Sequence, residues 1–156
     1  MQVKRSSNRL RGYDVLGPSE GLGRLEQVLF SPQNGECKFL QFSSSGFLPF
    51  ATLDSIDDDR QTIALKDDGS RTSHQVRTVS GPDPRLVGTR DLLEYAVVKD
   101  RVHLGFVSDF VLDPSSAVVE HIIVYFLHGI REQVVDMKRI VEIDHTHSVL
   151  FLNGEQ

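Results

Sequence analysis

The sequence predicts an all-β protein made of two tandem small β-barrels with little helix. Three observations carry this. The chain repeats its own order of turns and apolar runs. Its runs either alternate with a period of two or are nearly unbroken and rich in β-branched and aromatic residues. Pro, Gly and Asn-Gly turn signals punctuate those runs at short intervals.

In chain order, residues 1–8 read as a flexible basic arm, and Lys4, Arg5, Arg9 and Arg11 cluster at this end. Residues 9–65 form the first repeat. Within it, 17–23 is a glycine-rich hairpin turn. Ser31-Pro32-Gln33-Asn34-Gly35 is a reversal, because Asn and Gly accept positive φ. Pro49 cannot sit in a central strand, since it has no N–H for the ladder. Residues 66–84 are polar and broken by Gly69, Gly81, Pro82 and Pro84, and read as a linker in which 76–79 could add an edge strand. Residues 85–152 form the second repeat, and 153–156 a tail.

The repeat is read from ordered matches. Arg9-Leu10-Arg11-Gly12 returns as Arg85-Leu86-Val87-Gly88, and Leu22-Gly23-Arg24-Leu25 as Leu104-Gly105-Phe106-Val107. Phe30-Ser31-Pro32 returns as Leu112-Asp113-Pro114, and Phe39-Leu40-Gln41-Phe42 as Ile122-Ile123-Val124-Tyr125. The spacing drifts from 76 to 83 residues, which is read as a longer first hairpin and a one-residue insertion in the second copy. Residues 106–112 alternate, and 118–127 are almost continuously apolar, as in a strand covered on both faces. Residues 90–98 have apolar residues at helical spacing, but the repeat favours the opening strand of the second barrel there. Residues 136–140 read as a single helical turn.

This pattern resembles the PRC-barrel family: a Gly near each start (Gly12, Gly88), a turn, then Leu-Gly with an apolar strand carrying an acid (Glu26, Asp109), a Pro or Gly turn, a strongly apolar strand and, after a short linker, a final strand pair. The resemblance covers about 9–65 and 85–152. The family includes the cytoplasmic domain of the photosynthetic reaction-centre H subunit and the C-terminal domain of the bacterial ribosome maturation factor. It implies six-stranded barrels that act as binding platforms, with no shared enzymatic activity and no cofactor.

Composition narrows the function. The chain has 156 residues, is 39% hydrophobic and 25% charged, and carries a net charge of −5. That composition is globular. Residues 1–80 hold ten basic and ten acidic side chains, whereas 81–156 hold seven and twelve. An acidic second half argues against a broad nucleic-acid footprint, because phosphates recruit Lys and Arg. Cys37 is the single cysteine, so no internal disulfide forms; it reads as a small buried hydrophobe, and a reducing, cytoplasmic setting is expected. The longest apolar run, 122–127, falls short of the about 20 residues a membrane-spanning helix needs.

No segment carries a recognisable catalytic motif. The glycine-rich 17–23 matches neither a dinucleotide fingerprint nor a P-loop. Asp57-Asp58-Asp59 lacks the spacing of a calcium loop. His145 and His147 are weak metal candidates: two apart, they share a face on a strand, but two ligands do not make a site, and the repeat places them at a hairpin tip. His121 and His128 flank the apolar strand as surface or satisfied core residues. Phe47, Leu48 and Phe50 are candidates for an exposed partner-binding patch; the alternative is that they complete the first core.

The expected function is therefore a non-enzymatic adaptor or assembly protein with a protein partner, a second copy of the chain included. An RNA- or ribosome-associated factor using the basic arm is the alternative, and a metal-binding protein through His145 and His147 the third. No catalytic residue and no cofactor are expected.

Overall fold

The structure is a computed structural model that describes residues 4–17, 21–43, 46–66, 85–127 and 131–153. It is all-β, with two seven-stranded, barrel-like sheets. The first half contributes β1 (Arg5–Ser6), a one-turn helix α1 (Ser7–Leu10), β2 (Asp14–Leu16), β3 (Gly21–Phe30), β4 (Cys37–Phe42), β5 (Phe47–Pro49), a 3-10 turn (Phe50–Thr52), β6 (Leu53–Asp57) and β7 (Thr62–Leu65). The second contributes β8 (Val87–Gly88), β9 (Ala96–Lys99), β10 (Val102–Asp113), β11 (Val118–Phe126), β12 (Arg131–Asp136), a 3-10 turn (Met137–Arg139), β13 (Ile140–Asp144) and β14 (Val149–Leu152).

The two sheets have one topology. The first runs β5-β4-β3-β2-β7-β6 and the second β12-β11-β10-β9-β14-β13. Within each, the opening strand pairs in parallel with the closing one: Val15 with Ile63, and Val97 with Leu150. The long strands break register at matching places, between Leu25 and Gln27 and between Val107 and Asp109. Such bulges bend a strand and let a small sheet curl.

Each sheet also takes its seventh strand from the other half. β1 pairs with β10, placing Arg5 opposite Leu112, and β8 pairs with β3, placing Val87 opposite Phe30. The exchange is reciprocal, like that of a strand-swapped dimer whose two copies lie on one chain. The junction repeats the symmetry. Cys37 N–H donates to the Ala117 carbonyl at 2.7 Å, and Val119 N–H to the Gly35 carbonyl at 2.7 Å, each pair being the other shifted by 82 positions. Both residues whose carbonyls accept at that junction have positive φ, 78° for Gly35 and 57° for Ala117.

Several expectations are corrected. The arm expected to be flexible is, from Arg5 on, a strand and a helical turn docked on the second sheet, with Leu10 buried. The repeat spacing is constant at 82 through the first four elements. Gly12 N–H bonds the Leu25 carbonyl at 2.8 Å, and Glu94 N–H the Val107 carbonyl at 2.7 Å. Gly12 therefore corresponds to Glu94, not Gly88; both have positive φ, 95° and 70°. Phe39 likewise corresponds to His121, not Ile122. The spacing then steps once to 87, because the β11–β12 hairpin is longer than β4–β5. Beyond it, the Lys66 N–H to Thr52 carbonyl bond repeats as Asn153 N–H to the Arg139 carbonyl. Residues 89–94 are turn, and the strand begins at Ala96. The 3-10 turn Met137–Arg139 lies where a helical turn was expected. The segment 76–79 lies outside the described residues.

One hydrophobic core joins both halves, from Val15, Val28, Leu40 and Ile63 to Phe110, Ile122 and Leu150. At its centre the rings of Phe30 and Phe110 meet at 5.5 Å, tilted by 59°. Among the described residues, no helix is long and apolar enough to cross a membrane.

Candidate binding surface

The residues singled out from sequence fall in different places. Leu48 and Phe50 are buried in the core and Phe47 is half-buried, so the three do not form an exposed patch together. Its hairpin edge is short, and Pro49 ends it. Cys37 is buried, and burial pushes its thiol up to about 12, so it stays protonated.

His145 and His147 lie in the turn between β13 and β14. His145 Nδ1 is 3.0 Å from the Tyr95 hydroxyl. His147 Nδ1 is 2.9 Å from Asp144 Oδ2, and this contact holds the Asp144 carboxyl below its ordinary value. Among the described residues no three His, Cys, Asp or Glu side chains gather as a metal would require. Tyr13 does in the first half what Tyr95 does in the second, bonding Asp58 at 2.9 Å. These hydroxyls tie each opening segment to the last hairpin of its own half. His121 is half-buried on β11, and His128 lies outside the described residues.

Two cations of the basic arm, Lys4 and Arg5, make internal ion pairs. Lys4 Nζ is 2.8 Å from Glu120, and Arg5 is 3.0 Å from Asp58. Arg24 lies 3.6 Å from Asp14, and Arg90 pairs with Glu26.

The exchanged segments are held by two polar side chains, the buried Gln27, which sequence reasoning missed, and the half-buried Asp109, which it marked only as the acid of an apolar strand. Gln27, almost fully buried, accepts at Oε1 from Arg90 N–H (2.9 Å) and Asp91 N–H (3.1 Å); its Nε2 donates to Gln41 (2.8 Å) and Asp91 (3.0 Å). In the second sheet Asp109 accepts from Ser6, from Ser7 Oγ at 2.9 Å and from Asn8 N–H at 3.0 Å. A buried amide offsets its desolvation only when its partners are in place, as those of Gln27 are.

The candidate surface is on the outside of the second barrel. A groove of about 530 Å³ there is lined by Leu93, Glu94, Phe106, Ser108, Tyr125 and Asn8. Phe106 and Tyr125 are cross-strand partners, 37% and 40% exposed, and His103 packs edge-on against Phe106 at 5.0 Å. Acidic groups rim it: Glu94 is exposed, and Glu132 accepts from Ser108 Oγ at 3.2 Å. The repeat supplies an internal control. At a shift of 82, Leu93, Phe106 and Tyr125 correspond to Arg11, Arg24 and Ser43, so the first barrel carries charge and a hydroxyl where the second exposes apolar side chains. An alternating strand pattern cannot reveal this, because outward and inward apolar residues look alike until the register is known.

No family model matches the sequence, and no curated protein does. A solved structure from Pseudomonas aeruginosa, described as a candidate 16S ribosomal RNA processing protein, RimM, is similar at a TM-score of 0.37 and 12% identity. The match covers 83% of this chain and 77% of that one.

Proposed function

We propose that this chain is a non-enzymatic adaptor or assembly protein: two interlocked PRC-barrel-like modules, of which the second carries a protein-binding face. The observation that carries the reading is the groove of Leu93, Phe106 and Tyr125, set against Arg11, Arg24 and Ser43 at the matching positions of the first barrel. Two copies of one fold need the same core but not the same surface. Aromatic side chains left partly exposed beside a concavity are the usual anchors of a protein interface. The first module then serves as the structural mate that completes the second with β1.

The reading is tested by giving the second barrel the surface of the first. The double variant Phe106→Arg, Tyr125→Ser places side chains that this fold already accommodates at the matching positions, so folding is expected to persist. Immobilised wild-type chain should retain a reproducible protein partner that the variant loses. Equal recovery by both, or recovery by neither, sinks the reading.

A further inference from the structure

We infer that the free edge of β12 takes, as an added strand, an extended segment of the partner protein in which basic and apolar residues alternate. This rests on the reading of the second barrel's outer side as the binding face, and names the chemistry of what binds there.

Among the described residues β12 pairs with β11 alone, so one side of its backbone is open. The alternation says which groups face that side. The Ile123 carbonyl points to β10, where it accepts from Ser108 Oγ at 3.2 Å; Leu127 N–H, of the same parity, donates to the Leu104 carbonyl at 3.1 Å. Ile123 is the cross-strand partner of Val134. In an antiparallel ladder a pair that does not exchange hydrogen bonds directs both sets of backbone groups away from each other. Val134 therefore offers its N–H and C=O to the open edge, as do Glu132 and Asp136. Their side chains share the outer face with Tyr125, Ile123 and His121, whereas Val135, of opposite parity, is buried.

The edge thus reads acid, apolar, acid, with Val134 62% exposed between two exposed carboxylates. A strand added there sets its own side chains directly beside these three. Lys or Arg beside Glu132 and Asp136, with an aliphatic residue beside Val134, satisfies all of them. A second copy of this chain does not: antiparallel self-pairing centred on Val134 puts Glu132 opposite Asp136 of the other copy, like against like. The first barrel blunts the matching edge. β5 is three residues long and ends at Pro49, the position matching Asp136, where a proline has no N–H to give.

The test uses the full chain and a fluorescent synthetic peptide with a Lys-Thr-Val-Thr-Lys centre, read by anisotropy against the same peptide with Glu in place of Lys. The Lys peptide should bind saturably and the Glu peptide at least roughly tenfold more weakly, the preference shrinking with salt. Val134→Pro removes the outward N–H and should abolish binding. Because that variant risks the fold, Glu132→Lys, Asp136→Lys keeps the backbone and should invert the preference. No binding of the Lys peptide overturns the inference, as does binding that ignores both variants. A concentration-dependent dimer lost in Val134→Pro would overturn it in favour of self-association. If Phe106→Arg, Tyr125→Ser loses the partner while the peptide ignores β12, the groove stands and the edge falls. If the edge variants act as expected and the groove variant changes nothing, the groove reading falls instead.

Discussion

Gln27 and Asp109, 82 positions apart and each just past a bulge in its long strand, perform one task for opposite halves: each binds the segment that the other half sends across. Gln27 uses an amide that both accepts and donates, because Asp91 presents a carboxylate as well as an N–H. Asp109 meets only donors, Ser6, Ser7 and Asn8, and a carboxylate suits them.

Removing Asp109 should therefore release β1 without dissolving the barrels. Asp109→Ala is expected to cost about 2 kcal/mol in chemical denaturation, as lost charge-assisted hydrogen bonds do. Amide exchange at residues 5–10 should accelerate well beyond that at residues 122–124. Asp109→Asn, which can still accept from one side, should fall between. Uniform acceleration across the chain would contradict the local role.

Cutting the chain between the repeats should leave it whole. With a protease site placed between residues 74 and 75 and cleaved in the folded protein, the fragments should co-elute under native conditions and separate only in denaturant. Each barrel keeps the other's strand, and both halves share one core. Fragments that separate in native buffer would refute the interlock.

Gly105 is needed for a close approach of backbones. A Cβ there would stand 1.9 Å from the Tyr125 carbonyl oxygen. Gly105→Ala should cost at least about 1–3 kcal/mol in urea denaturation, the range of overpacked cores. Gly21→Ala, whose Cβ would rest 3.9 Å from Leu16, should change stability little. Equal effects would disprove the steric account.

Cys37 should resist alkylation in the native state at pH 8 and react when the chain unfolds, since its thiol titrates only near 12. The sign follows from the same shift. Above the ordinary thiol value of 9.0, the unfolded chain loses a proton that the folded one keeps, so stability declines as pH rises. Rapid native labelling would show that the thiol is not buried in solution.

Asp144 has the opposite sense. His147 holds its carboxyl below 3.8, so this contribution to stability is present above that value and lost as pH falls through the depressed one. In an NMR titration His147→Ala should move the Asp144 midpoint up toward 3.8. An unmoved midpoint would exclude the pairing in solution.

The sequence alone determined the fold class and the duplication, because period-two runs, β-branched strands and Gly, Pro and Asn turns are local features that act wherever they occur. Asp113-Pro114 marked its turn, and Leu104-Gly105 repeated Leu22-Gly23 at the right spacing, although it lies inside β10 at a break in register with β9. It misaligned the opening segment, because Glu94 occupies a positive-φ position where identity matching sought a glycine. Tertiary structure alone decided that Arg5–Ser6 and Val87–Gly88 change partners, that Phe50 is core, and that Phe106 and Tyr125 face outward. Those outcomes depend on register and on which half supplies the neighbouring strand. Residues that are distant along the chain settle both by competing for one buried interior.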